Sequence, residues 1–496
     1  MGSPGETAAR LVFPGFTLGV DDPDDAMRLV DLGVGGFCVY HGTPAEVAEF
    51  SRKAVQRAAR PLLLCADYED GLASHVAGGT AFPSNMGLAA SGDDALAFEK
   101  GRVTGLEARA LGVGWVLAPV VDLATRPDNP IVNVRSFGSD PGRVSRMARA
   151  FIKGLASGGV LSCIKHFPGH GETGLDSHLG LPTVALGREV LDGRELAPYR
   201  DLKEDADAVM IGHLAVPALS GGREVPATLC PEIISGELRG LIGFKGLVVS
   251  DALSMHAVAK RFPEAVAAET ALVSGCDILL APGDPRRLVY DLMRRADEAP
   301  AVAAAAAAAA ARLDAALRTL AGRGAAGGAV DAGVVGCAAH AGVSARLALR
   351  CLAWHRPLAR PLPRAIAYFE PDEGFPDWVQ GAAFLDEIKA LGFTVSLTAS
   401  AAEAEFVVAG LFVSPRAYAG RIRYGEEERR RLTDAWALAR AGAAVSFGSP
   451  WLLEDAPDVA ACLAAFSASK DAQRAAARAL AGRLAVTGKM PVTLRR

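Results

Sequence analysis

Hydrophobic runs recur at regular intervals through the first 285 or so residues. Each run spans four to six apolar residues and ends in polar or glycine-rich sequence. The eight runs are LVFPGFTL, GGFCVY, PLLLCAD, GWVLAPVVD, VLSCIKHF, AVMIGH, GLVVSD and DILLAP. Between them lie stretches with helical periodicity, among them AEVAEFSRKAVQRAA, DDALAFEKGRVTGLEARAL, RVSRMARAFIKGLA and PEAVAAETALVSG. A continuously apolar run suits a strand buried on both faces. Strands of that kind alternating with helices predict a parallel sheet covered by helices. Eight such units match a (β/α)8 barrel, with a doubly wound open sheet as the alternative.

Polar residues cluster where these runs end: Asp67, Asp122 and then Arg135, Lys165 with His166, His213, and Asp251. In a barrel those ends converge on one face, which carries the active site. Five separate segments would then aim chemistry at one pocket.

From Ala301 to Leu320 alanine dominates and a long helix is expected. GRGAAGGAV follows as a boundary, dividing a barrel over residues 1–322 from a second domain over 323–496. There AIAYFE, FTVSLTA, EFVVAGLFV, AAVSFGS and CLAAFSAS predict strands. WVQGAAFLDEIKALG, EEERRRLTDAWALARAG and DAQRAAARALAG predict helices. That pattern implies a smaller α/β sandwich. The charged stretch from Tyr418 to Arg430 is expected to be a solvated helix start.

A net charge of -4 without long single-sign runs argues against nucleic acid or an anionic membrane as the main partner. No run of eighteen apolar residues has the character of a membrane span, and MGSPGETAAR lacks the pattern of a secretory signal. Eight scattered cysteines without zinc spacing predict reduced thiols and a cytoplasmic location.

The densest chemistry lies in IKHFPGHGETGLDSHL, Ile164 to Leu179. Pro168, Gly169, Gly171 and Gly174 exclude a helix. Val160 to Ile164 predicts a strand that ends at Lys165 and opens into a polar loop. A single residue separates Asp176 from His178, close enough for the carboxylate to fix the imidazole's tautomer; a solvated loop histidine is the plain alternative. Asp251, just past a strand, could attack an anomeric carbon or merely cap the next helix. Lys165 requires a ligand or a carboxylate such as Asp122. Asp67 could accept from hydroxyls and Arg135 donate to them, although each also has an ion-pair reading. Met255 suits core packing or a pocket wall. His166 and His170 have the spacing of a zinc helix, but Pro168 and Gly169 between them break it. No metal or other cofactor is expected.

Taken together, KHFPGHGETGLDSH, NVRSFGSDP, PATLCPEIISGELR and GLVVSDALSM closely resemble glycoside hydrolase family 3, specifically its β-N-acetylglucosaminidases. FGSPWLL and TGKMPVTL resemble the sandwich domain of its two-domain members. The resemblance implies Asp251 as nucleophile and His178 as acid/base, oriented by Asp176. Asp67, Arg135, Lys165 and His166 would hold the sugar. It further implies a retaining double displacement on a small N-acetylglucosaminide, such as a cell-wall muropeptide fragment or a chitin piece. An imidazole does not repel phosphate as a carboxylate would, so phosphorolysis is an alternative. The loop glycines suggest that His178 swings in when substrate binds. Where the family has DQEGGRVxR, this chain has DYEDGLASH. Asp67, Glu69 and Gly71 match, Asp70 replaces a glycine, and His75 stands where a sugar-binding arginine is expected. That departure keeps glucose or xylose specificity open. A non-catalytic sugar sensor on the same barrel is the reading from another class. Oligomeric state is left open.

Overall fold

The computed structural model describes residues 2–324, 332–371, 379–397, 405–415, 422–437, 441–457 and 460–495. The apolar runs of the first half form nine short strands: β1 (Val12–Phe13), β2 (Gly15–Thr17), β3 (Gly36–Tyr40), β4 (Leu63–Ala66), β5 (Trp115–Val116), β6 (Cys163–Phe167), β7 (Ala208–Ile211), β8 (Leu247–Ser250) and β9 (Leu279–Leu280). Pro14 lacks an N–H and splits the first run into β1 and β2. β2, β3, β4 and β5 pair in parallel, as do β6, β7 and β8. Parallel bridges Trp115–Leu161 and Val120–Lys165 join β5 to β6, and Val249–Ile278 joins β8 to β9. β9 then pairs in parallel with β1, so the ring closes as an eight-stranded barrel.

Strand alternation explains both the core and the site. Leu63 and Cys65, Leu161 and Cys163, and Leu247 and Val249 belong to the cluster that fills the barrel. Leu64, Ile164 and Val248 belong to the cluster under the surrounding helices. Continuing the inward set by one step on each strand gives Asp67, Lys165 and Asp251. The top layer of the barrel is therefore polar, where the lower layers are apolar.

The helices carry their own start signals. Thr43 and Glu46 cap Pro44–Arg57 reciprocally, and Asp140 caps Pro141–Gly158. Asp94–Ala110 packs against Pro141–Gly158 through Gly101, Gly105, Gly154 and Gly158. A Cβ on Gly101 would come within 2.2 Å of the Phe151 carbonyl oxygen. Helix Pro300–Gly322 is long and apolar enough to cross a membrane, and so is the segment Ala332–Arg350, which corrects the sequence reading. In Pro300–Gly322, however, Leu313 and Leu320 pack against the barrel interior and Val302, Ala306 and Ala309 join the helix-layer core. Residues 325–331 of the expected boundary lie outside the described residues.

The second half builds a sheet from β10 (Ala353–Arg356), β11 (Ala365–Phe369), β12 (Thr394–Leu397), β13 (Phe406–Leu411), β14 (Ala441–Ser446) and β15 (Ala460–Ala464). Its order is β10-β15-β14-β13-β11-β12, parallel except for β10. Alternation again sorts the residues. Tyr368, Val408, Val445 and Leu463 face Phe384, Ile388, Ala476 and Leu480 of helices Ala382–Ala390 and Lys470–Leu480. Ala367, Phe369, Ala409 and Cys462 share the other cluster with Leu432 and Trp436, and with Met86, Val132 and Val134 of the barrel. Asn133 donates to Ser449 across the junction at 3.1 Å. The sandwich thus rests on the barrel loop that carries Arg135.

The fourth run differs from expectation. It is strand only at Trp115–Val116 and pairs again at Val120, because Pro119 interrupts the ladder. β6 runs two residues past its expected end, so Lys165 and His166 sit within a strand. Of the charged stretch from Tyr418 to Arg430, residues 418–421 lie outside the described residues, and Glu426–Ala437 is helix.

Candidate active site

A cavity of about 940 Å³ opens at the C-terminal ends of the strands. Asp67, His75, Arg135, Lys165, His166, His178, Asp251 and Met255 all line it. Asp176 stands behind His178. Pro415 also lines the cavity, so the second domain reaches the barrel's active face.

Four charges meet on one wall. Lys165 Nζ, its side chain only 2% exposed, donates to Asp67 Oδ1 at 2.6 Å and lies 2.7 Å from Glu69 Oε1. Arg135 donates to Glu69 through Nε at 2.9 Å and Nη2 at 2.8 Å, and through Nη1 to the Ile131 carbonyl at 3.0 Å. Burial alone would raise the Glu69 carboxyl, but Arg135 and Lys165 outweigh it and hold it well below the usual range. Burial disfavours the Lys165 ammonium, yet Asp67 and Glu69 keep it above its ordinary value. The expected pairing of Lys165 with Asp122 is therefore corrected: its partners are Asp67 and Glu69. Asp122 is buried under His166 instead, accepting from His166 Nδ1 at 2.7 Å and from the His170 N–H at 2.7 Å.

Asp251 follows β8, and its Oδ1 accepts the Ala252 N–H at 2.9 Å. The next helix starts at His256, with Met255 at the cap position, so Asp251 does not cap it. Burial would raise the Asp251 carboxyl, but His166 beside it and the Ala252 N–H bring it below the ordinary carboxylate range. It is ionised at neutral pH. His213 braces the same turn. Its Nε2 donates to the Ala252 carbonyl at 3.0 Å, its Nδ1 lies 2.7 Å from Thr228 Oγ1, and burial keeps it neutral.

His178 Nδ1 lies 2.7 Å from Asp176 Oδ1, which also accepts the His178 N–H at 2.8 Å. The Asp176 side chain is fully buried, and that of His178 is 22% exposed. This geometry selects the tautomer with hydrogen on Nδ1 and the lone pair on Nε2. A general base facing the cavity needs that tautomer.

His75 packs edge-on to Tyr40 at 5.7 Å and beside His41 at 5.6 Å. Burial lowers its pKa, so it supplies a neutral ring where a cation was expected. Asp70, the other departure, pairs with Lys100 at 2.7 Å; Lys100 is fully buried and also donates to Pro83 O and Asn85 Oδ1. Met255 is buried as well as lining the cavity. Among the described residues no three His, Cys, Asp or Glu side chains converge as a metal-holding group.

Sequence reasoning did not assign a role to Glu69, the hub of the charged wall. The signal was present: two cations at neighbouring strand ends need more counter-charge than Asp67 supplies.

The family model for the glycosyl hydrolase family 3 N-terminal domain matches residues 23–321. The chain belongs to glycosyl hydrolase family 3. It is 34% identical over 258 residues to a β-N-acetylglucosaminidase/β-glucosidase of Cellulomonas fimi, covering 50% of this chain and 46% of that one. It is 37% identical over 290 residues to β-hexosaminidase LpqI of Mycobacterium tuberculosis, covering 56% and 73%. The match thus spans under half of the first relative's length and nearly three quarters of the second's. Among solved structures, a family 3 β-N-acetylglucosaminidase from Paenibacillus sp. str. FPU-7 superposes with a TM-score of 0.87 at 28% identity. That match covers 100% of this chain and 99% of the other, including the sandwich domain.

Proposed function

We propose that this family 3 protein is a retaining β-N-acetylglucosaminidase that removes terminal N-acetylglucosamine from small carbohydrates. The observation that carries the reading is one cleft lined by both an ionised carboxylate, Asp251, and an imidazole, His178, whose tautomer is set by a buried carboxylate. In the first step an Asp251 oxygen bonds to the anomeric carbon. The glycosidic C–O bond breaks, and His178, protonated on Nε2, passes that proton to the departing oxygen. Asp176, hydrogen-bonded to Nδ1, holds the ring for this transfer. In the second step neutral His178 takes a proton from water. The water oxygen bonds to the anomeric carbon and Asp251 leaves with its electron pair. Asp67, Arg135, Lys165 and His166 hold the sugar; Lys165 and Arg135 stay charged because Asp67 and Glu69 compensate them.

A second reading follows from the neutral His75 in place of an arginine. It changes the hydroxyl contacts near Asp67 and favours glucose or xylose as the accepted sugar. A panel of aryl N-acetylglucosaminides, glucosides and xylosides, run with and without phosphate, separates these readings. Hydrolysis confined to the N-acetylglucosaminide supports the first, preference for glucoside or xyloside supports the second, and glycosyl phosphate as product would replace hydrolysis by phosphorolysis. Negligible turnover of every glycoside would refute both and leave a sugar-binding protein. The eight cysteines carry free thiols, seven of them buried, which supports a reducing compartment such as the cytoplasm; cell fractionation tests this.

A further inference from the structure

Three polar residues of the Ile164–Leu179 segment have no part in the chemistry above, yet they are buried beneath it. His170, Thr173 and Ser177 are each 2% exposed or less. The root of this loop is firmly held. The His170 N–H donates to Asp122 Oδ1 at 2.7 Å, and Asn129 Nδ2 donates to the carbonyls of His170 and Gly171 at 2.9 and 3.0 Å. The tip is different, since Leu175 and Leu179 stand 44% and 45% exposed on either side of the Asp176–His178 pair. A side-chain hydrogen bond runs from root to tip. His170 Nε2 lies 3.2 Å from the hydroxyl of Ser177, the residue between Asp176 and His178.

We propose that His170 is a positioning residue whose hydrogen bond to Ser177 clasps the loop tip and holds His178 in its working place. The proposal rests on the reading of His178 as acid/base. Donor and acceptor in the clasp are set from the other side of the ring. Thr173 Oγ1 lies 2.5 Å from His170 Nδ1 and 2.9 Å from the His170 carbonyl. The hydroxyl has one hydrogen and donates it to that carbonyl, so its oxygen accepts the ring hydrogen from Nδ1. Nε2 then carries the lone pair and accepts the Ser177 hydroxyl hydrogen. Burial pushes the His170 pKa down to about 4, so the ring stays neutral and keeps this arrangement at working pH. Ser177 cannot shift without moving both partners of the dyad, whose carboxylate and imidazole it separates by one peptide on each side. The glycines of this loop leave its backbone little stiffness of its own, so a fixed tip needs such a bond.

The test uses aryl N-acetylglucosaminides of graded leaving-group ability on the full chain. Ser177→Ala is expected to lower kcat/KM about tenfold for poor leaving groups and less than twofold for dinitrophenol, which departs without protonation. Thr173→Val, which leaves Ser177 in place, is expected to give the same gradient more weakly. His178→Ala should show the gradient most steeply, and Ser177→Ala with His178→Ala should be no worse than His178→Ala alone. Equal losses across all leaving groups in Ser177→Ala and Thr173→Val, or no loss in either while His178→Ala keeps its gradient, would overturn the clasp alone. A flat His178→Ala series would overturn the acid/base assignment, and the clasp with it.

Discussion

Replacing Glu69 by Gln removes one negative charge from the charged wall and almost no volume. In the intact protein two cations, Lys165 and Arg135, face two carboxylates, Asp67 and Glu69. The substitution leaves two cations against one. Lys165 is nearly inaccessible to water and, among the described residues, keeps Asp67 as its ion-pair partner; Arg135 loses a two-pronged contact with a carboxylate and keeps the Ile131 carbonyl. Removing one partner of a buried ion pair costs about 3–5 kcal/mol. The Arg135 side chain is 25% exposed, which places the expected loss at the lower end, about 3 kcal/mol. No cavity penalty adds to this, because the amide fills the carboxylate's space. Urea unfolding at pH 7, followed by far-UV circular dichroism and by loss of activity, measures it. The pH dependence gives a second check with a definite sign. Glu69 is held well below the usual carboxylate range, so its contribution is fully present above the unfolded pKa of about 4.3 and is lost as pH falls through the folded value. The stability gap between wild type and variant should therefore be constant near neutrality and shrink below about pH 4. A gap under about 0.5 kcal/mol at pH 7, or one that widens in acid, would refute this account of the wall.

Asp176→Asn should keep the fold but lower turnover of poor leaving groups by roughly 10²–10⁴-fold, since an amide no longer selects the His178 tautomer; steady-state kinetics check this, and near-normal rates would contradict it. Glu195 is buried against Gly169 and Gly171 of the same loop, with its pKa pushed up to about 8 by burial. Its neutral form is favoured in the folded state, so it weakens the protein progressively as pH rises from about 4.3 toward 8. Glu195→Gln should therefore be increasingly more stable than wild type over that range in thermal melts, with a plateau above it; a pH-independent difference would show that Glu195 is not the buried acid described here.

The barrel strands were readable because both faces of each strand are buried, which leaves uninterrupted apolar runs such as LLLCA and GLVVS. The same alternation that makes Leu247 and Val249 core residues sends Asp251 into the cavity, so the chemistry at the strand ends was readable with the strands. The partner of Lys165 was not readable. Its carboxylates lie about a hundred residues earlier, and local sequence offers Asp122 as an equally good candidate. β10 escaped notice because AWHR is half polar and lies at the sheet edge, where one side needs no apolar cover. The compensation of Asp70 by Lys100 was hidden for a similar reason: a lysine within a helix looks solvated until another element covers it.

The central claim is that the residue 251 carboxylate forms a bond to the sugar. A fluorinated N-acetylglucosaminyl fluoride that glycosylates quickly and is released slowly can trap that bond. Proteolysis and mass spectrometry then locate the added sugar mass. The account predicts one adduct, on the peptide containing Asp251, and none after Asp251→Asn. An adduct on a different carboxylate, or steady consumption of the reagent by the Asp251→Asn variant, would contradict it.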